Sequence, residues 1–250
     1  DLRACCTSAV RDENSYLLNG QKTFIGSGIS GDAALVLART DGSSERASED
    51  SFSLFFVEKS EGYTPGRQLD KMGIRASDTA ELFFENVRVP AENLIGEPGQ
   101  GLTYIKQHLP QALLAIAAAS AVISRTTLNA TLEYVKERKV FGSRVADFQN
   151  TRFELANALM NTELSELYVA RAIAAFNAGE LTAEDAAKAK VFASEKACTI
   201  TDRCLQLFGG YGYINEHPAA QAFLAARLLP IFGGTNELLR DSIGFDLLAE

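Results

Sequence analysis

The feature that most constrains this chain is a change of hydrophobic period at Gly99-Gln100-Gly101. Ahead of it, β-branched and aromatic residues come in short runs broken by turn residues, the signature of antiparallel strands. Behind it, Gly and Pro become scarce and apolar residues recur at helical spacing from about Leu102 to Lys139. Such a switch predicts an α+β chain of two domains. Residues 1–97 are expected to form an antiparallel β-barrel or sandwich, and residues 98–250 an antiparallel four-helix-type bundle.

Within the first part, residues 9–11 and 16–18 flank the polar Asp12-Glu13-Asn14-Ser15 segment and read as a hairpin. Asn19-Gly20 is a type I′ turn signal and predicts a second hairpin into residues 21–25. Residues 33–40, 52–59 and 80–89 read as further strands, the last ending at Pro90, and the Ser/Glu/Asp stretch at 41–51 as a solvated connection. In the second part, one long helix over about 102–139 carries Pro110, where the missing amide predicts a bend. Asp147 is expected to cap a helix that Gly179 stops, Thr182 with Asp185 to open a third that reaches about Leu207, and Thr235 to cap a terminal helix.

Of the 250 residues, 46% are apolar and 22% charged, enough to bury one large core or two smaller ones. The 32 acidic against 24 basic residues argue against a general affinity for nucleic acid or anionic membrane. Small anionic ligands would have to be held by local Arg and Lys. No unbroken run of eighteen apolar residues suggests a membrane span. Cys5, Cys6, Cys198 and Cys204 form no CxxC pair and only His108 and His217 accompany them, so no metal site is expected. Reduced thiols and a cytoplasmic setting are the expectation. The chain opens at Asp1 without a Met and reads as a piece of something longer, which leaves a mitochondrial matrix origin open.

Seven segments then carry a resemblance. They are Asn19-Gly20-Gln21-Lys22-Thr23-Phe24-Ile25, Leu69-Asp70-Lys71-Met72-Gly73-Ile74-Arg75, Asp78-Thr79, Glu85-Asn86-Val87-Arg88-Val89-Pro90, Arg138-Lys139-Val140-Phe141-Gly142, Gln206-Leu207-Phe208-Gly209-Gly210-Tyr211-Gly212 and Gly233-Gly234-Thr235-Asn236-Glu237. In this order and spacing, the chain resembles the acyl-CoA dehydrogenases, without that family's N-terminal helical domain. The resemblance implies an FAD-dependent oxidoreductase that takes a proton and a hydride from adjacent carbons of an acyl-CoA thioester. It also implies self-association as a dimer or tetramer, with part of each flavin site from a second subunit, and an electron acceptor such as an electron-transfer flavoprotein.

By the resemblance, Phe24, Ile25 and Gly26 lie at the flavin ring, and Arg138, Val140, Phe141, Gln149, Gln206, Gly209, Gly210, Thr235 and Glu237 at the rest of the FAD. The residue types suit these roles. Arg138 near a helix end can pair with a phosphate in fixed geometry, or simply be a solvated Arg. Gly209 and Gly210 let backbone amides approach an anion, though a Gly-Gly pair also serves as a helix C-cap. Phe24 is either flavin-facing or plain strand core. For the acyl-CoA, the resemblance implies Gln111, Ala112, Leu113, Gly233 and Gly234, and the two glycines stand before a capped helix whose unpaired amides suit a carbonyl or phosphate oxygen.

The chain departs from the family where the chemistry is most demanding. A base must stand over the carbon next to the thioester. One group of members carries a Glu where this chain has Gly233, and another where it has Ala112, so no catalytic residue is assigned. Leu113 replaces an Arg used near CoA, and Gly26 replaces a Ser or Thr whose hydroxyl reaches the flavin. These departures raise a second reading, a non-catalytic FAD-binding subunit that partners a complete paralogue. A third, an oligomerising bundle that binds nothing, would be removed by stabilisation with FAD.

Overall fold

The computed structural model describes residues 2–42 and 48–249. The chain divides into two compact units, Asp1–Gln107 and His108–Glu250, with the division inside the first long helix.

The first unit is built on one sheet of seven strands: β1 (Ser8–Asp12), β2 (Ser15–Gly26), β3 (Ala33–Arg39), β4 (Phe52–Glu58), β5 (Tyr63–Gln68), β6 (Thr79–Pro90) and β7 (Leu94–Ile95). Their order is β5-β6-β2-β1-β3-β4-β7. All pairs are antiparallel except β1 with β3, which meet in parallel at Ser8 and Arg39, so the sheet is mixed. Alternation decides which side chains turn inward. In β6, Ala80, Leu82 and Phe84 are buried, then the phase slips by one and Val87 and Val89 are buried. Leu82, Phe84, Val87 and Val89 join Tyr16, Leu18, Val36, Phe55 and Val57 in the main core, where each fully buried large side chain contributes roughly 1.5–3 kcal/mol.

That slip overturns the expected turn at Asn19-Gly20. Both residues lie inside the unbroken strand β2, and Glu85 and Asn86 of β6 bulge opposite Asn19. Asn86 takes a left-handed φ of 52°, and Asn19 Oδ1 accepts its amide at 2.8 Å. The Asn side chain thus satisfies the bulge, while Gly20 (φ 139°) lets Thr7 pass where a Cβ would clash. The expected reversal at residues 12–15 stands, joining β1 to β2, and Glu13 within it has φ 52°. Of the predicted connection at 41–51, residues 43–47 lie outside the described residues. Its end is a single 3-10 turn, Glu49–Ser51, with Glu49 paired to Arg3 and Lys106 at 2.5 Å.

In the second unit, α1 (Gly101–Glu137, counted from its start in the first unit) runs as one helix through Pro110. It is followed by the hairpin β8 (Lys139–Val140) and β9 (Ser143–Arg144), then α2 (Gln149–Ala178), α3 (Ala183–Phe208), α4 (Pro218–Ala226) and α5 (Asn236–Ala249). Helix α3 is the centre. Its buried Ala186, Ala187, Ala189, Val191, Ala193 and Ala197 turn to three sides, and the small side chains let neighbours approach closely. Leu114, Ala117 and Ala121 of α1 pack there with Val169 and Ala172 of α2. Leu113 packs with Leu239 of α5, and Ile116 with Ala226 and Leu229.

The caps follow the sequence at three of four helix ends, Thr235 at the start of α5 among them. Thr182 Oγ1 accepts the Asp185 amide at 3.0 Å, and Gly179 closes α2 in the left-handed region at φ 74°. Asp147 does not cap α2, because its carboxylate is taken by Arg144 at 2.8 Å and the N-cap position is Phe148. Among the described residues, α1 alone is long and apolar enough to cross a membrane by length and composition, with a window of mean hydropathy 1.4. Its apolar residues fill the bundle core, and buried Ser120, Ser124 and Thr131 return their hydroxyls to carbonyls one turn back.

Candidate functional site

In the β unit, the segment singled out for the flavin is where β2 loses its regular register. The pairing with β6 shifts between Lys22 and Ile25, and Phe24 in that interval has φ 61°. A bulky residue held in the left-handed region costs on the order of 1–3 kcal/mol. Phe24 is also 76% exposed, so plain strand core is not its role. Ile25 turns inward onto the main core, which anchors the segment, and Gly26 faces open space. The loop beyond is fixed by Asp78, whose carboxylate accepts from Ser30 Oγ at 2.6 Å and the Ile29 amide at 2.7 Å. Those two bonds hold the Asp78 carboxyl below its ordinary range.

In the helical unit, Arg138, Val140, Gln206, Gly209 and Gly210 line one cavity of about 560 Å³. Five of the residues expected at the cofactor therefore meet, although 68 positions separate Arg138 from Gln206. Arg138 follows the last residue of α1 and its guanidinium stands 6.0 Å from the centre of the Tyr211 ring. None of the ion pairs among the described residues uses it. Helix α3 ends at Phe208, and the Gly209 amide donates to Gln206 O. That amide serves the cap and is not free for an anion. What the glycines supply is room, since a Cβ at either meets nothing within 4 Å.

Phe141 and Gly142 form the tip of the β8–β9 hairpin with φ 50° and 80°, a I′-type turn that leaves Phe141 98% exposed. Gln149, the first residue of α2, is exposed and does not line the cavity.

Gly233 (φ 69°) and Gly234 (φ 98°) make a left-handed turn ahead of α5. A Cβ on Gly233 would overlap Ile116 Cδ1 and stand 3.8 Å from Leu113 Cδ2, so the turn abuts α1 directly. Thr235 caps α5 by accepting the Leu238 amide at 3.4 Å, and Glu237 is exposed in its first turn. Gln111 and Ala112 lie on the exposed side of α1, one turn before Ile116. Leu113, expected at the substrate, is only 2% exposed and packs with Ala186, Ala187, Val191 and Leu239. Its side chain is core, which is what a Leu in place of an Arg allows.

Two features escaped the sequence reading. Lys190 is fully buried beneath the glycine turn, donating to Gly234 O and Asn236 Oδ1, both at 2.8 Å. A Lys inside the alanine-rich Ala186-Ala187-Lys188-Ala189-Lys190 run was the available signal. The other is a cavity of about 650 Å³, larger than the first, beside Glu133, Glu137 and His217. It shares Tyr134 and Phe208 with the smaller one, whose rings meet at 4.5 Å as a wall. The smaller cavity has the cation and the glycines that a phosphate needs, and the larger has a carboxylate rim. Among the described residues, no group of His, Cys, Asp and Glu could hold a metal ion.

Comparison with known proteins covers nearly the whole chain. The family profile "Acyl-CoA dehydrogenase, middle domain" matches residues 1–87, and "Acyl-CoA dehydrogenase, C-terminal domain" matches residues 99–248. The long-chain specific acyl-CoA dehydrogenase of Rattus norvegicus mitochondria is 38% identical over 251 residues, covering 100% of this chain and 58% of the rat protein. The crystal structure of an acyl-CoA dehydrogenase from Geobacillus kaustophilus superposes with a TM-score of 0.96 at 38% identity, over 99% of this chain and 65% of that one. A chain from work on the electron transferring flavoprotein of Acidaminococcus fermentans superposes at 0.94 with 36% identity, over 99% and 65%. The chain thus spans about three-fifths of its curated relatives. Motif order, fold and comparison agree, and the chain belongs to the acyl-CoA dehydrogenase family.

Proposed function

We propose that this chain supplies the middle and C-terminal domains of an FAD-dependent acyl-CoA dehydrogenase that lacks the usual base. The observation that carries the reading is the cavity where Arg138, Val140, Gln206, Gly209 and Gly210 converge. A guanidinium in no ion pair among the described residues, an amide side chain and open glycines fit a dinucleotide's phosphates and adenine. Phe141 and Gln149, exposed beside it in sequence, suit contacts to the same cofactor in a dimer or tetramer. In the β unit, strained and exposed Phe24 with Gly26 provides a face for the ring system. When bound, FAD would supply the acceptor for a hydride, and electrons would then pass to a partner such as an electron-transfer flavoprotein.

The residues of the chain itself would bind and orient. The Gly233–Gly234 turn, with Gln111 and Ala112 on the exposed side of α1, is where the thioester would sit, its carbonyl oxygen taken by a turn amide. No group at residue 112 or 233 accepts a proton, and loss of a positioned base lowers rate on the order of a hundred- to ten-thousand-fold. Leu113 in the core and the glycine at 26 extend the same pattern. They favour the second reading, a subunit that lends half of a flavin site to a complete paralogue. The test is to add FAD to the purified full chain, desalt, and expose the product to acyl-CoAs without oxygen. Retained flavin with slow bleaching supports the leading reading. Retained flavin that no acyl-CoA bleaches supports the second, and a colourless protein refutes both.

A further inference from the structure

Lys190 is the only charged side chain among the described residues that is buried. It is the eighth residue of α3, with its Nζ under the Gly233–Gly234 turn, bonded to Gly234 O and Asn236 Oδ1. No ion pair among the described residues includes it. The acids that face it are already engaged or remote. Glu195 on α3 is held by Arg240 at 2.5 and 2.7 Å and by Asn236 Nδ2 at 3.1 Å, and Glu237 on α5 points to solvent. From α1, Leu109 and Leu113 pack with the α3 neighbours of Lys190, Ala186, Ala187 and Val191, and Ile116 abuts the turn.

Burying an ammonium without a carboxylate is destabilising, and a neutral side chain of similar volume would avoid that cost. Packing therefore does not explain a lysine here. Its position does. The charge lies beneath the turn and beside the N-terminal end of α5, whose first amides carry the positive end of the helix dipole. Burial leaves both fields poorly screened. Burial lowers Lys190 to about 8 against the opposing influence of Glu237 and Glu195, so the ammonium form still prevails at neutral pH.

We propose that Lys190 is a charged positioning residue, which fixes the Gly233–Gly234 turn and stabilises negative charge developing on a thioester carbonyl oxygen seated there. The site would thereby acidify the carbon next to the thioester even with no carboxylate at residue 112 or 233. The C–H bond of the ligand breaks, the proton passes to water, and the electron pair is held as an enolate on the oxygen. This rests on the turn being the thioester site.

The test uses the FAD-loaded full chain with acetoacetyl-CoA, whose enolate has its own near-ultraviolet band, so no turnover is needed. The bound ligand should be more enolised than the free ligand at the same pH. Lys190→Met removes the charge and the donor, whereas Lys190→Gln keeps a donor without charge. Both should bind the ligand and lower the enolate-to-keto ratio about tenfold. Equal ratios in all three proteins, or recovery of the ratio in Lys190→Gln, overturn the role of the charge. Enolisation in the wild type unchanged from water, or no binding at all, overturns the reading of the turn and the inference with it. Either variant removes the burial cost but also loses the ammonium bonds to Gly234 O and Asn236 Oδ1, so both should still fold, and a failure to fold would make Lys190 structural and refute the proposal.

Discussion

Restoring a carboxylate should work at one of the two empty base positions and fail at the other. Ala112 is exposed on α1, so Glu there buries no charge and loses under about 0.7 kcal/mol in helix propensity. It stands one turn from Ile116, which abuts the Gly233 turn. A positioned base returns a factor of roughly 10² to 10⁴, or about 3–5 kcal/mol of barrier. Gly233→Glu meets two obstacles. Its φ of 69° penalises any L side chain by about 1–2 kcal/mol, and the Cβ overlap with Ile116 adds about 1–3 kcal/mol. Ala112→Glu should therefore speed anaerobic flavin bleaching by a panel of acyl-CoAs with little change in melting temperature. Gly233→Glu should melt lower and bleach no faster. The reasoning fails if Ala112→Glu binds FAD and acyl-CoA yet stays as slow as the wild type, or if Gly233→Glu is the variant that gains.

Three further outcomes follow from the same geometry. Leu113→Arg, which restores the residue type common in the family, should cost about 3–5 kcal/mol in urea unfolding, because it forces a guanidinium into a core with no partner. Phe24→Ala should change stability by less than about 0.5 kcal/mol, since the ring is exposed, while weakening retention of FAD; an equal loss in both would mean the ring is structural. Lys190 predicts the direction of a pH effect. Between about 8, where it deprotonates in the folded chain, and 10.5, its ordinary value, the unfolded state binds the extra proton, so stability rises with pH by up to about 1.4 kcal/mol per unit. Measured against Lys190→Met, the wild type should gain stability across that window, and parallel curves would contradict it.

The sequence made the large divisions readable because they rest on period. The change at Gly99-Gln100-Gly101 separates sheet from helix, and Thr182 and Gly179 mark helix ends through local bonds the residues make themselves. Asn19-Gly20 misled because the same residue types that suit a tight turn also suit a bulge, and the choice lies with Asn86, 67 positions away. Asp147 misled in the same manner, its carboxylate being claimed by Arg144. The short β5, β7 and α4 carry too few residues for a period to register. At the site, five of the residues that motif order selected line one cavity, but motif order does not say what each contributes. The Gly209 amide is consumed by a cap, Leu113 is core, and Lys190 shows only once α3 is folded against the turn.

The reading depends most on the pocket around Arg138 holding the phosphates of FAD. Fluorescence titration of the apoprotein with FAD, for the wild type and Arg138→Ala at two ionic strengths, addresses it directly. Loss of a charge-assisted contact worth about 1.5–3 kcal/mol should weaken affinity more than tenfold and reduce its dependence on salt, with the melting temperature of the apoprotein unchanged. Identical titrations for the two proteins, or no quenching by the wild type, would contradict it.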